Sequence, residues 1–352
     1  MKKLSIILLL FTICVIISRY HTFADAEYSQ SSAEAVMEVS SGRLLYSHNE
    51  KEKLPMASTT KIVTAITVIE NCDVNSVVQV TTKTVNVEGS SVYLKEGDKF
   101  TVKDLLYGLM LRSGNDCAET LAAYCCGNIA DFCKLMNDTA KKCGANDSNF
   151  ENPHGLPREN HYTTAEDLCN ITRHALQNDL FSAIVSTKTY VATEIGSGEK
   201  RIWKNKNKLL NFFDGANGVK TGYTKQAGKC FVGSATINGM KVISVVLNSP
   251  QMFERSEELL KKAFSEYKFI RLFDETRFDY VAFTPDRKFA YDLYVKRGFS
   301  YPISEKDDIN VELNLPEILP LNFKIGESVG EIRIYCSKQL IFSENIYTLN
   351  TK

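Results

Sequence analysis

The chain has 352 residues, 44% of them apolar and 24% charged, and its 42 basic side chains equal its 42 acidic ones. That length exceeds one average domain, and the composition is that of an ordinary globular protein. The charge balance excludes both the overall basic excess of a nucleic-acid binder and the acidity of a disordered, solvating chain.

The first residues speak to location. Met1-Lys2-Lys3 is a positive start, residues 4–18 are almost wholly apolar, and Ala24-Asp25-Ala26 fits a small-x-small cleavage site. This reads as a signal peptide over residues 1–26, its apolar run short for a full membrane span. The mature protein is therefore expected to be exported, touching membrane only through an uncleaved signal segment. Ile13-Cys14-Val15-Ile16 lacks the small residues expected around a lipidated cysteine. Of ten cysteines, nine follow the signal segment, an odd number with no C-x-x-C pair and no zinc-like spacing. Cys117, Cys125, Cys126, Cys133 and Cys143 sit in alanine-rich helical sequence, where free cysteine packs as a small hydrophobe.

Residues 35–39, a Ser40-Ser41-Gly42 turn and residues 44–46 read as a hairpin. Helices are expected over 58–71, 102–110, 116–125 and 131–143, the last stopped by Gly144. A further helix should open at Thr163, with Glu166 completing a capping box, and run to about Leu180. From Gly218 the period becomes that of strands: 219–221, 230–235 and 240–247, with Asn238-Gly239 as a hairpin turn. An amphipathic helix covers 253–264. These patterns predict an α/β sandwich of sheet and helices with a helical subdomain, over residues 27–270. Short β-rich runs at 278–281, 288–295, 309–313 and 332–335 predict a small C-terminal all-β domain, a β-sandwich, over 271–352. The last residues, 341–352, read as a final strand rather than a lipid-binding helix.

Three short segments carry chemistry. In Ser58-Thr59-Thr60-Lys61 the serine opens a helix, near unpaired N–H groups, and the lysine one turn on can reach its hydroxyl. A lysine that is desolvated or set beside another cation can lose its proton and act as a base. Ser113-Gly114-Asn115 breaks the chain between two helices, where a hydroxyl and an amide can project into a cleft. Lys220-Thr221-Gly222 places a cation, a hydroxyl and a residue without Cβ on one strand, so that a substrate backbone can lie close along it.

The order S-x-x-K, S-x-N, K-T-G is the signature of serine penicillin-recognising enzymes. Glu88-Gly89-Ser90-Ser91, Asp104-Leu105-Leu106-Tyr107-Gly108-Leu109, Asn152-Pro153-His154-Gly155-Leu156 and Gly218 to Thr224 resemble the low-molecular-mass D-alanyl-D-alanine carboxypeptidases. Lys324-Ile325-Gly326-Glu327 resembles part of that family's C-terminal domain. The resemblance implies a serine β-lactamase/transpeptidase-like fold needing neither metal nor cofactor. It implies Ser58 as acyl-forming nucleophile, Lys61 as its proton acceptor, and Ser113 as the relay to the leaving D-alanine. Asn115 would bind the substrate amide, and Lys220 and Thr221 the terminal carboxylate. Gly222 would give the substrate backbone room, and Tyr223 would share an oxyanion hole with Ser58. The implied partners are peptidoglycan stem peptides and, as covalent inhibitors, β-lactams. An endopeptidase of the same family, a β-lactamase and an inactive wall-binding or β-lactam-sensing module are the rival expectations. His154 reads as part of a structural loop, Arg255 as a surface helix arginine, and Glu166 as a helix cap rather than a deacylating base.

Overall fold

The computed structural model describes residues 31–274, 281–287, 290–319 and 323–348. The expected signal segment over 1–26 lies outside them, as do residues 278–280, 288–289 and 349–352 of the expected C-terminal strands. No helix among the described residues is long and apolar enough to cross a membrane.

The N-terminal hairpin pairs β1 (Ala33–Glu38) with β2 (Leu44–His48). The helical region follows as α1 (Lys61–Asn71), α2 (Val102–Tyr107), α3 (Asn115–Cys126), α4 (Ile129–Lys142), α5 (Ala165–Leu176) and α6 (Asp179–Ser186). The chain then returns to the sheet as β3 (Ala216–Thr224), β4 (Gly228–Ile237) and β5 (Met240–Leu247), and α7 (Met252–Glu266) closes the domain. The five strands form one antiparallel sheet in the order β2-β1-β5-β4-β3, so the first strand lies beside the last. Every residue of β1 is buried because both faces of the sheet are covered. Ala33, Ala35 and Met37 face the helical subdomain, while Val36 joins Phe231, Val246, Leu259 and Leu260 beneath α7.

Helix boundaries follow local capping chemistry. Thr101 and Asp104 form a reciprocal capping box at the start of α2. The helix expected over 102–110 ends at Tyr107, and Gly108–Arg112 widens into a π-turn before the break at Ser113. At α5 the expected Thr163/Glu166 box is displaced by one residue. Thr164 Oγ1 accepts from the Asp167 N–H at 3.0 Å. Thr163 is held elsewhere, its backbone pairing with Leu54 and its hydroxyl with Ser148. The same helix stops at Leu176, and Asn178 caps a separate α6.

The C-terminal all-β domain has β6 (Lys268–Phe273), β7 (Val281–Phe283), β8 (Ala290–Tyr294), β9 (Phe299–Ile303), β10 (Ile309–Asn314), β11 (Ser328–Cys336) and β12 (Gln339–Thr348). β6 and β9 form a two-stranded ribbon, and the others form an antiparallel sheet in the order β7-β8-β12-β11-β10. β6 begins two residues after α7 and crosses position 270, so the chain passes between domains within a paired strand. Arg43, just before β2, reaches into this region. It donates to the Pro302 carbonyl at 2.6 Å and to both Asp307 carboxylate oxygens at 2.9 and 2.6 Å. Its guanidinium also lies 5.2 Å from the rings of Tyr267 and Tyr301. Burial favours the neutral acid at Asp307, yet Arg43 and Ser304 hold its carboxyl far below the usual range.

Candidate active site

Met56 leads into a 3₁₀ turn, Ala57–Thr60, that tightens directly into α1. Ser58 sits in this turn, and Lys61 is the first residue of α1 and fully buried. The Lys61 amine is surrounded by oxygen: Asn115 Oδ1 at 2.7 Å, the His154 carbonyl at 2.6 Å and Ser58 Oγ at 3.1 Å. Burial pushes its pKa well below that of an ordinary lysine, and the neighbouring charges of Lys220 and then Lys206 push it further. A neutral amine has two N–H donors and one lone pair. The two carbonyl acceptors use the donors, which leaves the lone pair for the Ser58 hydroxyl.

The helix break supplies the second wall. Ser113 has φ of 65°, in the left-handed region that non-glycine residues seldom occupy. Its hydroxyl is buried and has no hydrogen-bond partner among the described residues. Asn115 opens α3 and is fixed from both ends: its N–H donates to the Ser90 carbonyl at 2.7 Å, and its amide NH₂ donates to the Glu88 carbonyl. Asp116, nearly inaccessible, accepts from the Ser91 hydroxyl at 2.6 Å and from the N–H groups of Val92 and Leu94. The segment 88–94 is thereby tied to the helix that carries Asn115.

β3 forms the third wall. Lys220 is buried, and its amine donates to the Thr221 carbonyl at 2.9 Å. Burial and the charge of Lys206 lower its pKa to about 7. Gly222 answers a close approach: a Cβ there would lie 2.9 Å from the Ser58 nitrogen and 3.0 Å from the Met56 carbonyl oxygen. The result is an open cavity of about 740 Å³ lined by Ser58, Ser90, Ser113, Lys206, Thr221 and Tyr223. It continues past Lys229 to Pro250 and Glu254 at the start of α7.

All eight residues singled out in the sequence thus converge on one site, although Lys61, Asn115 and Lys220 stand behind the cavity surface. Three other residues have plain positions. His154 contributes its carbonyl to Lys61 while its ring faces Glu119 at 3.2 Å. Arg255 forms a two-pronged ion pair with buried Glu34, 2.8 Å on each side, and also meets Glu258. Glu166 faces Lys51 at 4.0 Å and makes no contact with Ser58 or Lys61 among the described residues. Lys206 was not singled out. Its amine donates to Ser90 Oγ at 3.0 Å at the cavity wall. It lies in the lysine-rich run 204–208, which reads locally as solvated charge. Among the described residues no group of three or more His, Cys, Asp or Glu side chains could hold a metal ion.

Residues 21–251 match the family model described as D-alanyl-D-alanine carboxypeptidase. The D-alanyl-D-alanine carboxypeptidase DacF of Bacillus subtilis is 29% identical over 319 residues, 86% of this chain and 81% of that protein. Penicillin binding protein 5 of Haemophilus influenzae superposes with a TM-score of 0.75 at 25% identity, covering 91% of this chain and 97% of that one. The D-alanyl-D-alanine carboxypeptidase DacD of Francisella tularensis gives a TM-score of 0.69 at 26% identity, over 93% of this chain and 94% of that one. With the family model spanning more than half of its length, the chain belongs to the D-alanyl-D-alanine carboxypeptidase family of serine peptidases, the low-molecular-mass penicillin-binding proteins.

Proposed function

We propose that this protein removes the terminal D-alanine from peptidoglycan stem pentapeptides through an acyl-enzyme on Ser58. The observation that carries the reading is the set of partners around the Lys61 amine. Two carbonyl acceptors and a serine hydroxyl suit an uncharged amine whose lone pair faces Ser58 Oγ at 3.1 Å. Ser58 Oγ attacks the carbonyl carbon of the penultimate D-alanine as its proton passes to Lys61 Nζ. The oxyanion is received by the N–H groups of Ser58 and Tyr223, both at the cavity wall, each such donor typically contributing ~3 kcal/mol. Ser113, whose hydroxyl has no other partner among the described residues, passes the proton to the leaving amine. The C–N bond breaks and D-alanine departs. Water, deprotonated by the same lysine, then hydrolyses the ester and restores the Ser58 hydroxyl.

Lys220 and Lys206 make the carboxylate end of the cavity positive, and Thr221 offers a hydroxyl there. Asn115 holds the substrate amide, and Gly222 leaves the strand open to the substrate backbone. A β-lactam enters the same chemistry and stays attached because its acyl-enzyme is hydrolysed slowly. We assign residues 27–270 to the peptidase and 271–352 to a domain that spaces or docks it at the wall, with residues 1–26 directing export. Mass spectrometry of a stem pentapeptide before and after incubation is the test, with the expected result the loss of one alanine. An intact pentapeptide beside cleaved crosslinks would replace this reading by the endopeptidase. Ser58→Ala should abolish covalent penicillin labelling; a stable adduct on that variant would remove Ser58 as the nucleophile.

A further inference from the structure

The loop between α4 and α5 meets the nucleophile turn at two points. One is the His154 carbonyl on the Lys61 amine. The other is the ring of His161, which the acylation chemistry leaves without a task. His161 is buried, on a segment held by the antiparallel bridge between Asn149 and Tyr162. The Phe150 ring meets it edge-on, with the ring planes 83° apart. His161 Nδ1 accepts the Glu151 N–H at 3.0 Å, and its Nε2 lies 2.9 Å from Thr60 Oγ1. The Thr60 hydroxyl in turn donates to the Ala57 carbonyl at 2.8 Å. A hydroxyl has a single proton and a backbone N–H can only donate, so both ends fix the ring in one state: neutral, with its proton on Nε2. Burial, then the charges of His154 and Lys61, push its pKa down to about 3 and keep it in that state.

We propose that His161 is a positioning residue for acylation, holding through Thr60 the peptide unit that carries the Ser58 N–H. The Ala57 carbonyl and the Ser58 N–H belong to one planar trans peptide, so they point in opposite directions and turn together. The carbonyl faces Gly155, where a Cβ would overlap it, and the Ser58 nitrogen faces Gly222 on β3. Ala57 keeps this orientation at φ of 49°, a left-handed conformation that an alanine leaves unless its surroundings restrain it. The hydrogen bond from Thr60 supplies the restraint. His161 aims that bond: its Nε2–H occupies one side of the Thr60 oxygen, which directs the hydroxyl proton at Ala57. The inference rests on the oxyanion role proposed for the Ser58 N–H, and it assigns the aiming of that donor to a side chain 101 positions further along the chain than Thr60.

The test follows β-lactam capture by stopped flow, which separates the initial complex from the covalent step, and maps the labelled peptide by mass spectrometry. His161→Leu should slow the covalent step by about ten- to a hundredfold, because an oxyanion donor acts chiefly in the transition state. The dissociation constant of the initial complex should change by less than about threefold. His161→Gln, whose amide offers one acceptor and one donor, should recover most of the rate. Thr60→Val should lose about as much as His161→Leu, and the double variant little more than either, since each breaks the same chain of bonds. In the unmutated protein a nitrogen-edited NMR spectrum at about pH 6, below the ordinary histidine value, should show a proton on His161 Nε2 and none on Nδ1. That signal is assigned by its absence from His161→Gln. A His161→Leu rate within about twofold of the unmutated protein, a loss confined to the initial complex, additive losses in the double variant, or a proton on Nδ1 would each overturn the proposal. The spectrum of the unmutated protein decides the matter even if a variant folds poorly. Unmutated protein that is not labelled on Ser58 would refute the peptidase reading itself, whereas Ser58 labelling that His161→Leu leaves unslowed refutes the positioning role alone.

Discussion

Replacing Lys206 by Met should shift both limbs of the pH profile for acylation to higher pH. Lys61 must be uncharged to accept the Ser58 proton, so the rate falls as pH drops through its pKa. Lys220 must be charged to attract a carboxylate, so the rate falls as pH rises past about 7. Burial lowers both values, and the charge of Lys206 lowers both further. Removing that charge lifts a repulsion that opposes each ammonium form, so both pKa values rise. Two like unit charges several ångströms apart in an effective dielectric of ~20 interact by roughly 2 kcal/mol. Lys206 faces solvent, and screening reduces this to roughly 1 kcal/mol, or ~0.7 pH unit. The falling limb should therefore move from about 7 to roughly 7.5–8. The assay is the second-order rate constant for covalent labelling by a β-lactam across the acidic to alkaline range, which reports groups of the free enzyme. Lys206→Arg keeps the charge and should keep both limbs in place. Limbs that stay fixed in the Met variant, or that move in opposite directions, would refute the shared electrostatic role.

Three further outcomes follow from particular contacts. Gly155 has φ of +91°, and a Cβ there would run into the Ala57 carbonyl beside Ser58. Gly155→Ala should slow acylation at least tenfold by displacing that turn, a loss of about 1.4 kcal/mol or more, and an unchanged labelling rate would contradict it. Glu166→Gln should leave the lifetime of a penicillin adduct unchanged, since this carboxylate faces Lys51; a markedly longer lifetime would revive the β-lactamase reading. Arg43→Met should leave Asp307 without its guanidinium and destabilise the junction by roughly 2–4 kcal/mol. Calorimetry should show an earlier transition for the C-terminal domain with labelling of Ser58 retained, and an unchanged melting profile would show that the latch contributes little.

Much of this molecule follows from patterns a few residues long. The buried strands around Asn238-Gly239, the amphipathic α7 and the S-x-x-K spacing depend on periodicity, turn conformation and a single helical turn, which act over distances the local sequence controls. The three motifs also settle which side chains are candidates for the chemistry. Local pattern is least secure at element ends: Thr163 and Thr164 are both competent caps, and Thr164 takes the role because Leu54 pairs with the backbone of Thr163. The ribbon strand Lys268–Phe273 mixes charged and apolar residues and its partner Phe299–Ile303 contains Pro302, and only their mutual pairing makes them strands. Charge state is decided further still from the local sequence. Lys61 is stripped of water by segments that contribute Asn115 and His154, and Lys220 and Lys206 approach it from β3 and the segment before it. Arg255 could have faced a substrate from α7, but Glu34 on β1 holds it. Desolvation and Coulomb forces depend on what lies nearby in space, so the residues able to react are legible in the chain, while their protonation and pairing belong to the tertiary structure.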